Sequence, residues 1–139
     1  LRIHDKYALY IPEDVVVPIG KIPALVAELP ELEAKYNFDI YAFGHAGDGN
    51  IHLNITAQHQ GNMDRVEMGV KAILARVIQM GGTISGEHGI GQAKKRYLFM
   101  ELSAESIRLQ SEIKKVFDPN MILNPGKIFP KEDFNNRLL

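Results

Sequence analysis

An α+β fold is predicted by three observations. The chain holds short runs of β-branched or alternating residues, it holds two stretches with apolar residues at helical spacing, and the two kinds alternate as β-α-β-β-α-β. That order is the split βαβ, or ferredoxin-like, arrangement of an antiparallel sheet with helices on one face. Glu13 to Val17 is a β-branched run ended by Pro18, read as the first strand. Lys21 to Tyr36 carries Ile22, Leu25, Val26, Leu29 and Leu32 at helical spacing. Pro23 suits its first turn, whereas Pro30 predicts a kink or a break into two short helices. Phe38 to His45 and Asn50 to Thr56 read as a hairpin, and Gln58 to Asn62 as a loop. Met63 to Met80 is the clearest helix, with Val66, Val70, Ile73, Leu74, Val77 and Ile78 in one apolar stripe and Gly81-Gly82 as its stop. Thr83 to Ser85 is a brief fourth strand. Two additional C-terminal helices follow, about Gly91 to Glu101 and Ser103 to Phe117, with Ser103 as an N-cap. The stretch from Asp118-Pro119 to Lys127 is loop-like, and Asp133 to Leu139 reads as frayed.

Bulk composition narrows the function classes. The 139 residues fit one domain with an ordinary core. Sixteen basic and 17 acidic residues leave a net charge of −1, with no basic stripe for nucleic acid. The absence of cysteine excludes disulfides, thiolate ligands and a cysteine nucleophile, and fits a reducing, cytoplasmic setting. No apolar run approaches the roughly 20 residues of a membrane span. The chain begins at Leu1 rather than at a methionine, which reads as a fragment of a longer protein.

The chemistry concentrates in two polar knots. His45 and His52 flank Asp48-Gly49, a dipeptide that favours a two-residue hairpin turn. With that turn, Gly47 pairs with Asn50, Ala46 with Ile51 and His45 with His52. Directly opposed residues share a face, with Cβ atoms about 5 Å apart, close enough for two imidazoles to hold one metal ion. Ile40, Ala42, Ile51, Leu53 and Ile55 then read as core. Tyr41, Phe43, His45, Asn50, His52 and Asn54 read as a site wall.

Two imidazoles and one carboxylate form a common set for catalytic zinc, and also serve manganese or iron. Glu87 in Ser85-Gly86-Glu87-His88-Gly89 is the best carboxylate, since the preceding strand can neighbour the hairpin; Asp48 should point to solvent. His88 is the candidate general base, a role to which histidine as a residue type is suited. The competing reading makes these histidines ordinary polar residues on an exposed hairpin and near a helix start. The glycine spacings match neither a dinucleotide fingerprint nor a Walker sequence, which argues against nucleotide phosphate. Lys94, one turn into the following helix, is a candidate for a substrate carboxylate, although such basic runs are mostly solvated faces.

Three ordered motifs resemble a known family. They are Gly44-His45-x-Gly47-Asp48-Gly49-Asn50-x-His52, then Gly82-Thr83-x-Ser85-Gly86-Glu87-His88-Gly89-x-Gly91, then Asn124-Pro125-Gly126-Lys127. The resemblance is to the C-terminal part of FAD-linked oxidases, in the branch of D-lactate dehydrogenase, D-2-hydroxyglutarate dehydrogenase and the glycolate oxidase catalytic subunit. It runs from Glu13-Asp14-Val15 onward. It implies a divalent metal, usually zinc, held by His45, His52 and Glu87 and chelated by a small 2-hydroxy acid. It further implies that His88 takes the hydroxyl proton while hydride leaves Cα for the flavin, that Asn50 contacts substrate, and that Asn124 lies near the flavin ring. On this resemblance residues 1–139 are a cap or substrate domain, inactive alone. FAD is then bound mainly by a domain of the same parent chain that is absent here. Other oxidase subunits are expected partners, through which the cytoplasmic protein could associate with a membrane, and an isolated cap could self-associate. A stand-alone zinc hydrolase and a metal-holding ferredoxin-like module are the rival classes. Neither would need a flavin domain.

Overall fold

Alternate residues of a strand face opposite sides of its sheet, and the first unit is organised by that rule. The computed structural model describes residues 9–57 and 63–129. The chain divides into two compact units, Leu1–His88 and Gly89–Leu139. In the first, β1 (Leu9–Val16), β2 (Asp39–His45) and β3 (Asn50–Ala57) form an antiparallel sheet in the order β1-β3-β2. Two helices, α1 (Ile22–Tyr36) and α2 (Met63–Gln79), pack on each other and reach β2 and β1 respectively. A single antiparallel bridge joins Thr83 to Val16 at the β1 edge, where the last strand of a ferredoxin-like sheet belongs. The α+β class and the element order are as expected from the sequence.

One sheet face supplies the core. Val15, Ile51, Leu53 and Ile55 are buried, together with Leu25 and Leu29 of α1 and Val66, Val70, Ile73, Leu74 and Val77 of α2. Of the two outcomes expected at Pro30, the break into two helices does not occur: α1 is continuous from Ile22 to Tyr36. An interior proline costs about 3 kcal/mol. Burial of the Leu25 and Leu29 side chains offsets this at about 1.5–3 kcal/mol each. A paired, bidentate Glu28–Arg76 contact at 2.5 Å also fastens α1 to α2. The α2 terminus is a Schellman motif, with Gly82 N–H donating to Val77 O at 2.9 Å and Gly81 N–H to Ile78 O at 2.9 Å.

Other departures have local causes. β1 begins at Leu9 and includes Pro12, which an edge strand tolerates because no further ladder bond is needed there. Ala42 is exposed and Ile40 only half-buried, because β2 is the free edge of the sheet. The outward Ile40 N–H donates to Glu33 Oε1 of α1 at 2.6 Å. The Thr83 bridge does not extend into a strand: the Ser85 N–H donates to Thr83 Oγ1 at 3.4 Å, and the Glu87 and His88 amides go to the Asp14 side chain. The expected loop at Gln58 to Asn62 and the frayed end lie outside the described residues. No helix among the described residues is long and apolar enough to cross a membrane.

In the second unit, the helix expected over Gly91 to Glu101 is a turn followed by a 3₁₀ helix, Lys95–Met100. Lys94 and Tyr97, three residues apart and both buried, fall on one row of such a helix. The next element, α3 (Ala104–Phe117), has Ser103 as its N-cap, with Ser106 N–H donating to Ser103 Oγ at 3.2 Å. Asp118 closes α3. The hydrogen bond from Lys114 holds its carboxyl below the usual range, against the opposing effect of burial and with help from the Leu123 and Ile122 amides. A folded-state pKa below the unfolded value contributes stability above the unfolded pKa, and that stability is lost as pH falls through the folded one. The turn at 118–123 is therefore expected to be fully stabilised above about pH 4, near the ordinary aspartate pKa, and to open only as pH falls further, through the lowered folded-state value. Amide exchange at Ile122 and Leu123 should rise in acid in the native chain. In Asp118→Asn it should be fast and nearly pH-independent once the intrinsic exchange rate is divided out; an unchanged acid dependence there would refute the assignment.

Candidate metal and proton-transfer site

The site lies on the sheet face opposite α1 and α2, and its register differs from the sequence expectation. His45 pairs with Asn50, Gly44 with Ile51 and Phe43 with His52. Asp48-Gly49 is not a two-residue turn. The connection has four residues, Ala46 to Gly49, and Asp48 N–H donates to His45 O at 3.0 Å. A type I′ turn needs positive φ at both central residues, and here only Gly49 has it, at +75°. Gly49 is buried against β1 instead: Val17 N–H donates to Gly49 O at 3.0 Å, and a Cβ at Gly49 would lie 2.1 Å from Val17 O.

The register is displaced by an even number of residues, so every side chain keeps its expected face. Tyr41, Phe43, His45, Asn50, His52 and Asn54 share one side. His45 and His52 are diagonal rather than opposed neighbours, yet their rings meet edge to face with centroids 5.6 Å apart. Phe43, directly opposite His52, tilts against it at 5.2 Å.

The loop after Thr83 brings the second knot onto this face. His88 stacks on His52 with centroids 5.1 Å apart and planes 17° from parallel. Glu87 Oε1 stands among three imidazoles, 3.3 Å from His52 Nε2, 3.7 Å from His88 Nε2 and 3.9 Å from His45 Nε2. His45, Glu87 and His88 are more than half exposed, while His52 is buried. The set His45, His52 and Glu87 therefore offers two ring nitrogens and a carboxylate oxygen within 4.8 Å of one another. Ligands of a tetrahedral ion with bonds of about 2.0–2.1 Å stand roughly 3.4 Å apart, so the donors present fit a metal such as zinc.

Asn50 and Asp14 line the floor. Asn50 is buried, and its Oδ1 has no hydrogen-bond partner among the described residues. Asp14 on β1 lies directly across from His52 on β3. It is 1% exposed, and its Oδ2 accepts the Glu87 and His88 amides at 2.8 and 2.9 Å. Sequence reasoning missed Asp14 as a site residue. The available signal was an aspartate inside a β-branched run, where its β propensity is poor. Lys94 and Asn124 belong to the second unit. Lys94 is buried rather than presented on a solvated helix face. Asn124 is exposed at a positive-φ turn, its carbonyl accepting from Lys127 N–H.

Comparison with known proteins agrees with the motifs. Residues 2–128 match the family model described as FAD linked oxidases, C-terminal domain. The chain is 44% identical over 124 residues to the glycolate oxidase subunit GlcD of Bacillus subtilis, covering 88% of this chain and 26% of that protein. It is 44% identical over 118 residues to a D-lactate dehydrogenase of Anaerostipes hadrus, covering 83% and 25%. It is 43% identical over 139 residues to a D-2-hydroxyglutarate dehydrogenase of Xanthomonas citri, covering 94% and 29%. The chain thus spans about a quarter of the length of these relatives, and it belongs to the C-terminal domain family of the FAD-linked oxidases.

Proposed function

We propose that this chain is the cap and substrate-side domain of a flavin-dependent 2-hydroxy acid dehydrogenase or oxidase, of glycolate or D-lactate type. His45, His52 and Glu87 hold a divalent cation, zinc by donor preference, and His88 removes the substrate's hydroxyl proton. The observation that carries this reading is the convergence of three imidazole Nε2 atoms on Glu87 Oε1. A bound cation would lower the pKa of the substrate hydroxyl and orient the acid. FAD, held mainly by a domain outside this chain, would accept the hydride from Cα. The chain's own residues then divide the remaining work. His88, exposed and set beside the ligand cluster, accepts the hydroxyl proton as a general base. Asn50, buried beneath Gly86 with its Oδ1 unpartnered among the described residues, is assigned to substrate by resemblance. Lys94 is assigned to the substrate carboxylate from its sequence position alone, and Asn124 to the flavin by resemblance alone.

The surface of the second unit supports a partner domain. Leu109, Ile113, Val116 and Phe117 form an exposed apolar stripe along α3, and Ile122 and Leu123 extend it. Such a face on a chain a quarter the length of its relatives fits packing against the flavin-binding part of the same parent protein.

Metal analysis tests the ligand set directly. The zinc-loaded wild-type chain should retain about one equivalent per chain after desalting, as a two-histidine, one-carboxylate site implies. The His45→Ala, His52→Ala double variant should retain almost none. Equal metal in both would remove the proposed site.

A further inference from the structure

We infer that Asp14 is a positioning residue: it fixes which nitrogen of His52 is free, and it pins the loop that carries Glu87 and His88. The inference rests on the metal reading for its consequence, but its geometry stands independently. A carboxylate taken fully out of water is costly unless its oxygens are occupied. Asp14 resolves this by spanning two parts of the site. Oδ2 accepts two consecutive amides, Glu87 and His88, and the Asp14 backbone carbonyl accepts the Gly86 N–H at 3.3 Å. Three successive residues of the loop thus hang from one residue of β1.

The other oxygen faces the ring. Asp14 Oδ1 lies 3.2 Å from His52 Nδ1, although the ring nitrogen and the oxygen are not aligned for a linear hydrogen bond. A lone pair on Nδ1 would be repelled by the carboxylate, so the neutral ring carries its proton there. Nε2 is left with its lone pair on the side where Glu87 Oε1 stands 3.3 Å away. This is the arrangement by which an outer carboxylate orients a ligating histidine and sets its tautomer. Asp14 also groups with His52 and His88 as a candidate ligand trio. Direct ligation is the weaker role, because Oδ2 is committed to the two amides and Oδ1 faces the opposite ring edge from the His45–Glu87 side.

Asp14→Asn separates the two tasks. The amide oxygen can still accept the Glu87 and His88 N–H groups, and those two donors fix its orientation. The NH₂ group must then face His52 Nδ1, which becomes the acceptor while the proton moves to Nε2. The expected result, read by ¹⁵N-histidine NMR on the metal-free chain at a pH where imidazole is neutral, is an Nδ1–H tautomer of His52 in wild type and Nε2–H in the variant. Zinc affinity, measured by competition with a chromophoric chelator, should fall by roughly 10–100-fold. Amide protection at Glu87 and His88 should persist in Asp14→Asn and be lost in Asp14→Ala. An Nε2–H tautomer in wild type overturns the inference without recourse to any variant. So does an Asp14→Asn chain with wild-type tautomer and affinity. If the tautomer switches while wild type holds no zinc, the metal reading fails and the positioning role stands.

Discussion

His88→Ala, introduced into the full-length parent flavoprotein, is expected to slow flavin reduction by roughly 10²–10⁴-fold, the usual worth of a general base, while leaving metal content at the wild-type level. Ring orientation, rather than distance to Glu87, distinguishes His88 from the proposed ligands. Its ring stacks on His52 rather than meeting it edge to face as His45 does, and it is among the more exposed side chains of the cluster. The anchor of His88 is its backbone N–H on Asp14, which alanine retains, so the loop should hold its course. Glu87→Gln has a different profile. The amide removes the anionic donor that stands between His45 and His52, so metal retention and hydroxy-acid binding should both fall, with partial recovery in excess zinc. Stopped-flow flavin reduction, run beside metal analysis on each variant, reads both. If His88→Ala lost the metal while Glu87→Gln kept it, the two roles would have to be exchanged, with His88 a ligand.

The parts of the fold that were legible in the sequence are those set by local periodicity. The α2 stripe from Val66 to Val77 and the Ser103 cap needed no distant partner to be read. The site wall also survived an incorrect hairpin register. A two-residue displacement preserves alternation, so His45, Asn50 and His52 stayed on one face even though their opposed partners changed. What was not legible depends on contacts far apart in the chain. Asp14 meets the Glu87 amide across 73 residues and His52 across the β1–β3 ladder, and no spacing rule announces either contact. At Pro30 the local penalty and the apolar row of Leu25 and Leu29 were both readable, but not the packing against α2 that keeps the helix in one piece. The short Thr83 bridge is the converse, a strand pattern cut off because a side chain took the backbone donors that would have extended it.

Gly86→Ala is expected to disperse the site more severely than its size suggests. A Cβ built on Gly86 lies 2.3 Å from Asn50 Oδ1 and 2.6 Å from Asp14 Oδ1, well inside contact distance. Neither neighbour can withdraw cheaply. Asn50 and Asp14 are both buried with short side chains, and Asp14 is tethered to the amides of the two residues that follow the glycine. The methyl group must therefore lift the loop off the sheet, lengthening both amide bonds to Asp14 and carrying Glu87 away from His52. Overpacking of this kind costs about 1–3 kcal/mol, and the same displacement removes the carboxylate from the ligand set. Gly47→Ala is the matched control. Its added Cβ meets nothing within 4 Å, and its φ lies outside the positive range, so its effect on stability should stay within about 0.5 kcal/mol. Urea denaturation and zinc competition on the two variants give the comparison. A Gly86→Ala chain as stable and as zinc-retentive as Gly47→Ala would mean that the loop does not seat on Asp14 and Asn50, and the cluster built on that seating would go with it.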